Sequence, residues 1–499
     1  MLFADKFELI SVADSTADDI LRKCLSFPKI KTQKPISQQT HFDYFKSYLF
    51  ENSHGGGAQT IIIEKEYTSL SYLGDYVNYY ANCYKPYSRN CRRIHFFQEL
   101  FNQDKFIEIL LRGQESDSKI WNSYLGYIVV KPLPKGIIGA TLLRPKTTGT
   151  TDKFTAVRSY PVNLFGKHLE IETLPFQEQD GIVGSCASSA LWCAFHQTSS
   201  LFGSARQNPS DITIMAGSDL YSTGKSFPSL GLEISQVCKA IQENDLVSEV
   251  RNSEYMKKNA LYAKAFIYAY LRMGIPVLLG TENKNKEGHL VALNGYQAAA
   301  IPNVPNNEIK FLSNLVGCLF AHDDQIGPFS KVKIEASNNE VWAISRYETT
   351  GGYQKDLKSE VKTIIVPIKK NIAVTFEDIC SQAIAIEYLF SSNGYELILD
   401  IFILESNKYK QELKELFVRN SLTDDKKGVL FTSLPQYIWV IQGYSNDKTL
   451  AFDLLYDAVD TNCHEPYQLN IYSEKFAHFL KESGLSFDNL AAYINFLSN

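Results

Sequence analysis

A cysteine and a histidine stand where a thiol nucleophile and its base could be placed. Cys186 follows two small residues and opens the segment Ala187–Trp192, which has the composition of a helix start. His289 begins the apolar run His289–Tyr296, which predicts a strand. Enzymes with a catalytic cysteine bring these two residue types together from distant parts of the chain. The pair therefore predicts a thiol–imidazole site.

The predicted position of Cys186 at a helix N-terminus suits a reactive cysteine. The helix is expected to run to about Leu201 and to stop at Gly203. The nucleophilic form is the thiolate, which both the positive end of a helix dipole and a nearby imidazolium stabilise. The helix N-terminus and the histidine would thus both favour the thiolate form of Cys186.

Two acidic residues could orient the imidazole. Asp323 and Asp324 follow the next predicted strand, Val316–Ala321. Adjacent antiparallel strands would bring these acids beside His289. A carboxylate on the far ring nitrogen fixes the tautomer and the orientation of the ring. We favour Asp323 because it comes first at the strand end, and Asp324 remains an alternative.

A side-chain amide before the cysteine could supply an oxyanion donor. Gln179 and Gln177 both precede Cys186 in the connecting segment. Either amide could join the backbone N–H of Cys186 in stabilising a tetrahedral oxyanion. We favour Gln179.

Several of these segments together resemble the papain-like cysteine peptidases, and within them the bacterial bacteriocin-processing branch. The resemblance covers about residues 170–335 and is carried by Gln179, Gly184–Trp192, Gly274–Val277, Gly288–Tyr296 and His322–Pro328. It implies a helical lobe with Cys186 and a β-sheet lobe with His289 and Asp323. It also implies the family order of glutamine, cysteine, histidine and acid, and a reaction that needs no cofactor or metal.

The pattern along the chain predicts an α+β protein with a central domain and two flanking modules. The length of 499 residues allows roughly three domains of ~150 residues. Strands and helices mix in the first part, and strands dominate the last. The predicted units are an N-terminal α/β module at 1–150, a papain-like catalytic domain at 151–340 and a β-rich C-terminal module at 341–499.

Composition limits the partners and the compartment. The 44% hydrophobic and 21% charged residues are ordinary for a globular protein. A net charge of −5 without a basic block argues against nucleic acid as a partner. The apolar runs are too short to cross a membrane, and the N-terminus does not read as an export signal. Scattered cysteines suit a reducing cytoplasm, and the sequence does not indicate an oligomeric state.

The leading hypothesis is a cysteine peptidase or isopeptidase that acts on a protein or peptide through Cys186, His289, Asp323 and Gln179. An intracellular effector, toxin or defence role would suit a chain without an evident transporter segment or secretory signal. One alternative is a non-catalytic binding protein on a papain-like scaffold. Another is a transglutaminase-like acyltransferase with the same cysteine, histidine and acid.

A second basic and histidine-containing segment stands apart from this site. Arg92, Arg93 and His95 occur together before an aromatic pair. An anion-binding site would be the functional interpretation. We expect instead a solvated basic pair beside a core strand.

Overall fold

The computed structural model of the chain describes most residues between 6 and 489. The described residues are 6–28, 30–32, 34–36, 40–51, 57–112, 118–147, 149, 151–217, 227–229, 231–256, 259–298, 310–337, 340–349, 353–420, 424–445, 448–461, 465–486 and 489. They form a mixed α+β structure, as the sequence predicted. Among them, no helix has the length and apolar character that crossing a bilayer demands.

The first part of the chain is a five-stranded antiparallel sheet in sequential order. Its strands are β1 (Phe7–Ser11), β2 (Thr60–Tyr67), β3 (Cys91–Phe97), β4 (Tyr124–Val130) and β5 (Leu142–Leu143). The helices are α1 (Ala17–Leu25), α2 (Thr40–Phe50), α3 (Leu70–Asn78), α4 (Gln103–Arg112) and α5 (Ser118–Asn122). One core includes α1, α2 and one face of the sheet, and a second includes α3 and α4.

The middle of the chain contains a two-stranded ribbon, five helices and a larger sheet. The ribbon is β7 (Arg158–Leu164) and β8 (Lys167–Thr173). The helices are α6 (Cys186–Phe202), α7 (Pro209–Met215), α8 (Ile234–Glu243), α9 (Ser253–Met256) and α10 (Ala260–Met273). The sheet has β6 (Asp152–Phe154), β9 (Leu246–Asn252), β10 (Val277–Glu282), β11 (Gly288–Ala298), β12 (Val316–Asp323), β13 (Gly327–Ser337), β14 (Glu340–Thr349) and β15 (Tyr353–Lys369).

This larger sheet closes on itself. The strands β10 to β15 pair in sequential order, and β10 also pairs with β15. Residues such as Thr363 in β15 have neighbours on both sides, Gly280 of β10 and Asn252 of β9. The result is a closed antiparallel barrel of six strands, with β9 added outside on β15. Closure pairs the sheet edges that would otherwise be exposed.

Helix α6 packs its buried side against the barrel. Leu191 and Phe195 share a core with Leu278, Ala292 and Ile365 on strands β10, β11 and β15. Most residues from Ala187 to Thr198 are buried, as expected for a helix that is covered on nearly all sides. The N-terminus of α6 is therefore held in a fixed place relative to β11.

The last part of the chain is a four-stranded antiparallel sheet with three helices. Its strands are β16 (Leu397–Glu405), β17 (Tyr437–Ser445), β18 (Leu450–Asp457) and β19 (Gln468–Ile471). The helices are α11 (Phe376–Ser392), α12 (Ser406–Asn420) and α13 (Glu474–Glu482). The domain boundary expected near residue 340 falls at the start of β14, whereas the sheet of the barrel continues to Lys369. The division into three domains itself stays a prediction.

The expectation of a solvated basic pair was wrong. Arg92 and Arg93 lie within β3 and are each only 7% exposed. The guanidinium of Arg93 is 2.8 Å from Glu64 on β2 and lies over the ring of Tyr67. His95 contacts the same carboxylate at 3.3 Å, and burial lowers the pKa of His95 to about 4. A paired charge can be buried where an isolated one cannot, and the partner strand is invisible in the local sequence.

Candidate active site

Cys186 is the first residue of helix α6, as the sequence predicted. Ser185 precedes it in an extended conformation, and the Ser185 backbone N–H donates to Ser188 Oγ at 3.4 Å. The helix ends at Gly203, whose φ of 76° is the left-handed conformation that glycine adopts readily. Cys186 itself is partly exposed, while the helix behind it is buried. The thiol thus faces accessible space at the positive end of a helix dipole.

The loop before Cys186 is organised by one buried carboxylate, which sequence reasoning missed. Asp180 Oδ1 accepts from the backbone N–H groups of Ile182, Val183 and Gly184 at 2.9, 3.0 and 3.2 Å. Its other oxygen accepts from the hydroxyl of Tyr80 at 2.8 Å. Aspartate side chains commonly satisfy backbone N–H groups a few residues ahead, so Asp180 before a glycine was the available signal. Asp180 fixes the path of the chain into α6.

Helix α7 supports the same loop from the other side. The hydroxyl of Thr213 donates to the Val183 carbonyl at 2.8 Å and lies 2.9 Å from Ser188 Oγ. A side chain at Gly184 would bring its Cβ to 3.1 Å from Pro209, which is tight for a carbon contact. Packing against α7 therefore favours glycine at position 184.

Replacing Asp180 with Ala is expected to lower both stability and thiol reactivity. Three backbone N–H groups and the Tyr80 hydroxyl would lose their acceptor, at a cost of about 2 kcal/mol or more in the free energy of unfolding. Urea denaturation and the alkylation rate of Cys186 measure the two effects. Tyr80→Phe removes only one of the four partners and serves as the milder control. An Asp180→Ala variant with unchanged alkylation at Cys186 would show that the loop does not depend on this carboxylate.

His289 lies at the start of β11, next to the end of β12. His289 Nε2 is 2.9 Å from Asp323 Oδ1, and these strands are paired antiparallel. The His289 side chain retains 17% exposure, while that of Asp323 retains 6%. The structure thus brings the predicted base and its favoured acid into direct hydrogen-bonding contact.

The two groups shift each other's ionisation. Burial disfavours the imidazolium, but the charge and hydrogen bond of Asp323, the Cys186 thiol and the charge of Asp324 outweigh burial and raise the pKa of His289 well above its ordinary value. Burial also disfavours ionised Asp323, but His289 and the Gln325 backbone lower its pKa below the usual value. An imidazolium–carboxylate pair is therefore the favoured state.

The Cys186 thiol acts on the same imidazole, since its interaction with the ring is one of the causes that raise the pKa of His289. Asp323 engages Nε2 of the ring, and the second ring nitrogen, Nδ1, has Gln325 Nε2 3.4 Å away. Nδ1 is therefore the ring nitrogen left to exchange a proton with a thiol.

Asp324 lies beside the pair of His289 and Asp323, and its side chain makes no hydrogen bond within the described residues. Asp324 Oδ1 is 3.8 Å from His289 Nε2, and neither carboxylate oxygen has a hydrogen-bond partner among the described residues. Burial raises the pKa of Asp324 to about 7. The direct hydrogen bond favours Asp323 as the orienting residue.

In the described part of the chain, the group of side chains that could hold a metal ion is His289, Asp323 and Asp324. The donor atoms of His289, Asp323 and Asp324 all lie within 4.8 Å of one another. His289 and Asp323 are joined by a direct hydrogen bond, and the Asp324 carboxylate lies beside it. The arrangement therefore fits an imidazole–carboxylate pair.

A second histidine nearby, His322, has a structural environment. It is 3% exposed, and its Nε2 is 2.9 Å from the Leu174 carbonyl. Its Nδ1 lies 2.9 Å from Asn294 Nδ2 and accepts from the Phe329 backbone N–H at 3.1 Å. Burial lowers the pKa of His322 to about 4. Both ring nitrogens are engaged, so His322 is not available as a base.

The two candidate oxyanion glutamines occupy different environments. Gln179 is partly buried, and no hydrogen bond of its side chain is found among the described residues. Gln177 is 3% exposed, its Oε1 accepts weakly from Ser71 at 3.4 Å, and its Nε2 finds no partner in the described part of the chain. Gln177 thus holds a buried N–H donor that remains unused, and Gln179 stays the residue favoured by the sequence alone.

A small cavity opens at the end of the barrel beside His289. Its volume is about 100 Å³. Leu279, Val291 and Val332 line it with apolar surface, and Thr281 and Ser359 add hydroxyl groups. A cavity of this size accepts a few heavy atoms next to the imidazole.

Comparisons with family models, curated proteins and solved structures found no match to this chain. Its functional interpretation rests on the site itself. A thiol at a helix N-terminus, a partly exposed imidazole and a buried carboxylate are the parts that covalent catalysis by cysteine requires.

Proposed function

We propose that this protein is a cysteine peptidase or isopeptidase with a papain-like central domain. The observation that carries the proposal is the hydrogen-bonded pair of His289 and Asp323, together with Cys186 at the N-terminus of α6, whose thiol adds to the raised pKa of His289. The helix-borne cysteine and the barrel-borne histidine also match the two lobes that the sequence resemblance implies. The substrate in this proposal is a protein or peptide, and no cofactor takes part.

The proposed reaction proceeds in two steps. The Cys186 thiolate attacks the scissile carbonyl, and the imidazolium of His289 gives its proton to the leaving amine as the C–N bond breaks. His289 then takes a proton from water, which attacks the thioester and releases the acid product, and sulfur leaves as the thiolate beside the restored imidazolium. Asp323 keeps the imidazole oriented throughout. The Cys186 backbone N–H, with Gln179 or Gln177, would stabilise the oxyanion.

The influence of Cys186 on the pKa of His289 favours catalysis over a purely binding role, because a non-catalytic scaffold would not need a thiol that acts on an oriented imidazole. The cavity beside His289 offers space for a compact substrate side chain. Each cysteine in the described part of the chain is free, as is usual in a reducing compartment, so the proposal includes a cytoplasmic location. The proposal also includes the effector, toxin or defence role that the sequence suggested.

A thiol-reactive probe with mass mapping tests the activated cysteine. Cys186 is expected to react at neutral pH at least about tenfold faster than Cys238, because the proposed site pairs it with a base at a helix N-terminus. Cys238 is a matched control, since it is also a partly exposed helical cysteine. Cys193 should react more slowly still, because burial raises its pKa well above the usual value.

The His289→Ala variant completes this test. It should remove the rate advantage of Cys186 and leave Cys238 unchanged. Equal rates at Cys186 and Cys238 in the wild-type protein would contradict the proposal. Comparing new protein N-termini produced by the wild type and by a Cys186 variant would then identify substrates, and product analysis with an added amine would reveal acyl transfer.

A further inference from the structure

The turn at the end of β12 carries Asp323, the acid that contacts His289. Asp323 Oδ1 accepts from His289 and also from the Gln325 backbone N–H at 2.9 Å. The Ile326 N–H donates back to the Asp323 carbonyl at 3.0 Å, and Gly327 pairs with Asp323 across the turn. A shift of this turn would move the carboxylate relative to the imidazole.

Helix α2 of the N-terminal region holds this turn at both ends. His41 Nε2 lies 2.7 Å from the Asp324 carbonyl oxygen, and both residues are buried. The hydroxyl of Tyr44 donates to the Pro328 carbonyl. These contacts bridge more than 280 positions of sequence, since 283 residues separate His41 from Asp324 and 284 separate Tyr44 from Pro328.

The ring of Tyr44 also packs directly on the turn. A Cβ at Gly327 would lie 2.2 Å from Tyr44 Cδ1, so no side chain fits between them. Gly327 also has a φ of 155°, which side-chain-bearing residues rarely adopt. The backbone of the turn and the Tyr44 ring are therefore in close packing contact, with no space for a side chain at Gly327.

Helix α2 is itself anchored on the five-stranded sheet. Phe42, Phe45 and Leu49 are almost fully buried in the core that includes Ile61 and Ile63 of β2. One helical turn beyond Tyr44, the Tyr48 hydroxyl donates to the Arg144 carbonyl at 2.7 Å, so this hydrogen bond does not involve the turn after Asp323. The burial of α2 against β2 therefore fixes this helix, and with it the turn after Asp323, on the N-terminal sheet.

We propose that Tyr44 and His41 are positioning residues that hold the turn from Asp324 to Pro328 and thereby the Asp323 carboxylate against His289. The inference rests on the proposed function for its catalytic readout. It makes the N-terminal region a structural support of the active site.

The test compares two hydroxyl deletions on one helix. Tyr44→Phe removes the hydrogen bond to the turn and keeps the ring, while Tyr48→Phe removes a hydroxyl that bonds elsewhere. For Tyr44→Phe we expect roughly a five- to tenfold loss of kcat with little change in KM, because orientation of the catalytic groups is disturbed. Tyr48→Phe should keep kcat within about twofold. His41→Ala, which releases the other end of the turn, should reproduce the loss.

A spectroscopic readout separates this inference from the proposed function. The imidazole proton that His289 shares with Asp323 gives a downfield NMR resonance, which requires no turnover. Tyr44→Phe and His41→Ala should shift or broaden this resonance, and Tyr48→Phe should not. If the wild-type protein hydrolyses nothing but the resonance responds in this pattern, the peptidase proposal fails and the positioning inference stands.

The contrary result is equally clear. If Tyr44→Phe and His41→Ala lower the melting temperature but leave both kcat and the resonance as in Tyr48→Phe, the contacts only stabilise the fold. The positioning inference would then be overturned. Gly327→Ala changes the same contact from the side of the turn, because its Cβ would meet the Tyr44 ring, and it should change the resonance in the same way.

Discussion

Replacing Cys186 with Ala is expected to abolish hydrolysis, with a loss of about 10⁵-fold or more in kcat, because no other group can form the acyl-enzyme. The variant should fold normally, since Cys186 is only partly buried and the change removes one sulfur atom. Steady-state kinetics on a substrate found by N-terminal mapping measures the loss. The wild-type melting temperature should be nearly retained.

Cys193→Ala is the matched control for this experiment. Cys193 lies on the same helix, is 2% exposed and packs in the core between α6 and the barrel. Its replacement should cost about 1 kcal/mol of stability and leave kcat close to the wild-type value. Full hydrolytic activity in Cys186→Ala would exclude this residue as the nucleophile. Because nucleophile and base act as a unit, Cys186→Ala combined with His289→Ala should cost little more than either change alone.

Replacing Asp323 with Asn is expected to lower kcat/KM at neutral pH by about 10²-fold or more, because the amide cannot stabilise the imidazolium. The pKa of His289 should fall, since the charge and hydrogen bond of Asp323 are the main contributions that raise it. The alkaline limb of the pH–rate profile should therefore move to lower pH. Kinetics across pH and NMR titration of His289 measure both effects.

The same pair makes a pH-dependent contribution to stability. The raised pKa of His289 stabilises the folded state below the ordinary pKa of about 6.5, and this contribution is lost as pH rises through the folded value. The lowered pKa of Asp323 stabilises the folded state above about 3.9, and this contribution is lost as pH falls through the folded value. Asp323→Asn should therefore lose stability relative to the wild type most clearly between these limits.

Asp324→Asn is the neighbouring control and decides between the two acids. With a pKa of about 7, Asp324 is largely protonated below neutral pH, where an amide is a close substitute for the neutral acid. The variant should thus resemble the wild type at pH 6 and differ from it only at higher pH. If Asp324→Asn is the more damaging change at pH 6, the assignment of Asp323 is wrong.

The sequence predicted the site where the signals were local. Small residues before Cys186, and an apolar run after His289, indicate a helix start and a strand start without knowledge of the rest of the fold. Strand order then sufficed to place Asp323 near His289. The choice between Gln179 and Gln177 depends on side-chain burial, which the spacing of residues along the chain does not encode.

Long-range contacts account for what the sequence did not predict. Closure of the barrel depends on Thr363 and its neighbours meeting β10, and the strand pattern alone does not reveal that pairing. Burial of Arg93 depends on Glu64, a residue of another strand, and burial of Arg92 depends on backbone carbonyls at the end of α1. His41 and Tyr44 contact the turn after Asp323, which lies more than 280 positions further along the chain.

The pairing of β10 with β15 has a consequence for the newly synthesised chain. The nucleophile, the base and the acid all leave the ribosome before Tyr353–Lys369, the strand that completes the barrel. Non-local strand pairings of this kind form late in folding, because the intervening loop must first be ordered. A nascent chain would therefore carry every reactive group before it has a closed barrel to hold them. We expect the geometry of the site to be complete only when translation has passed Lys369.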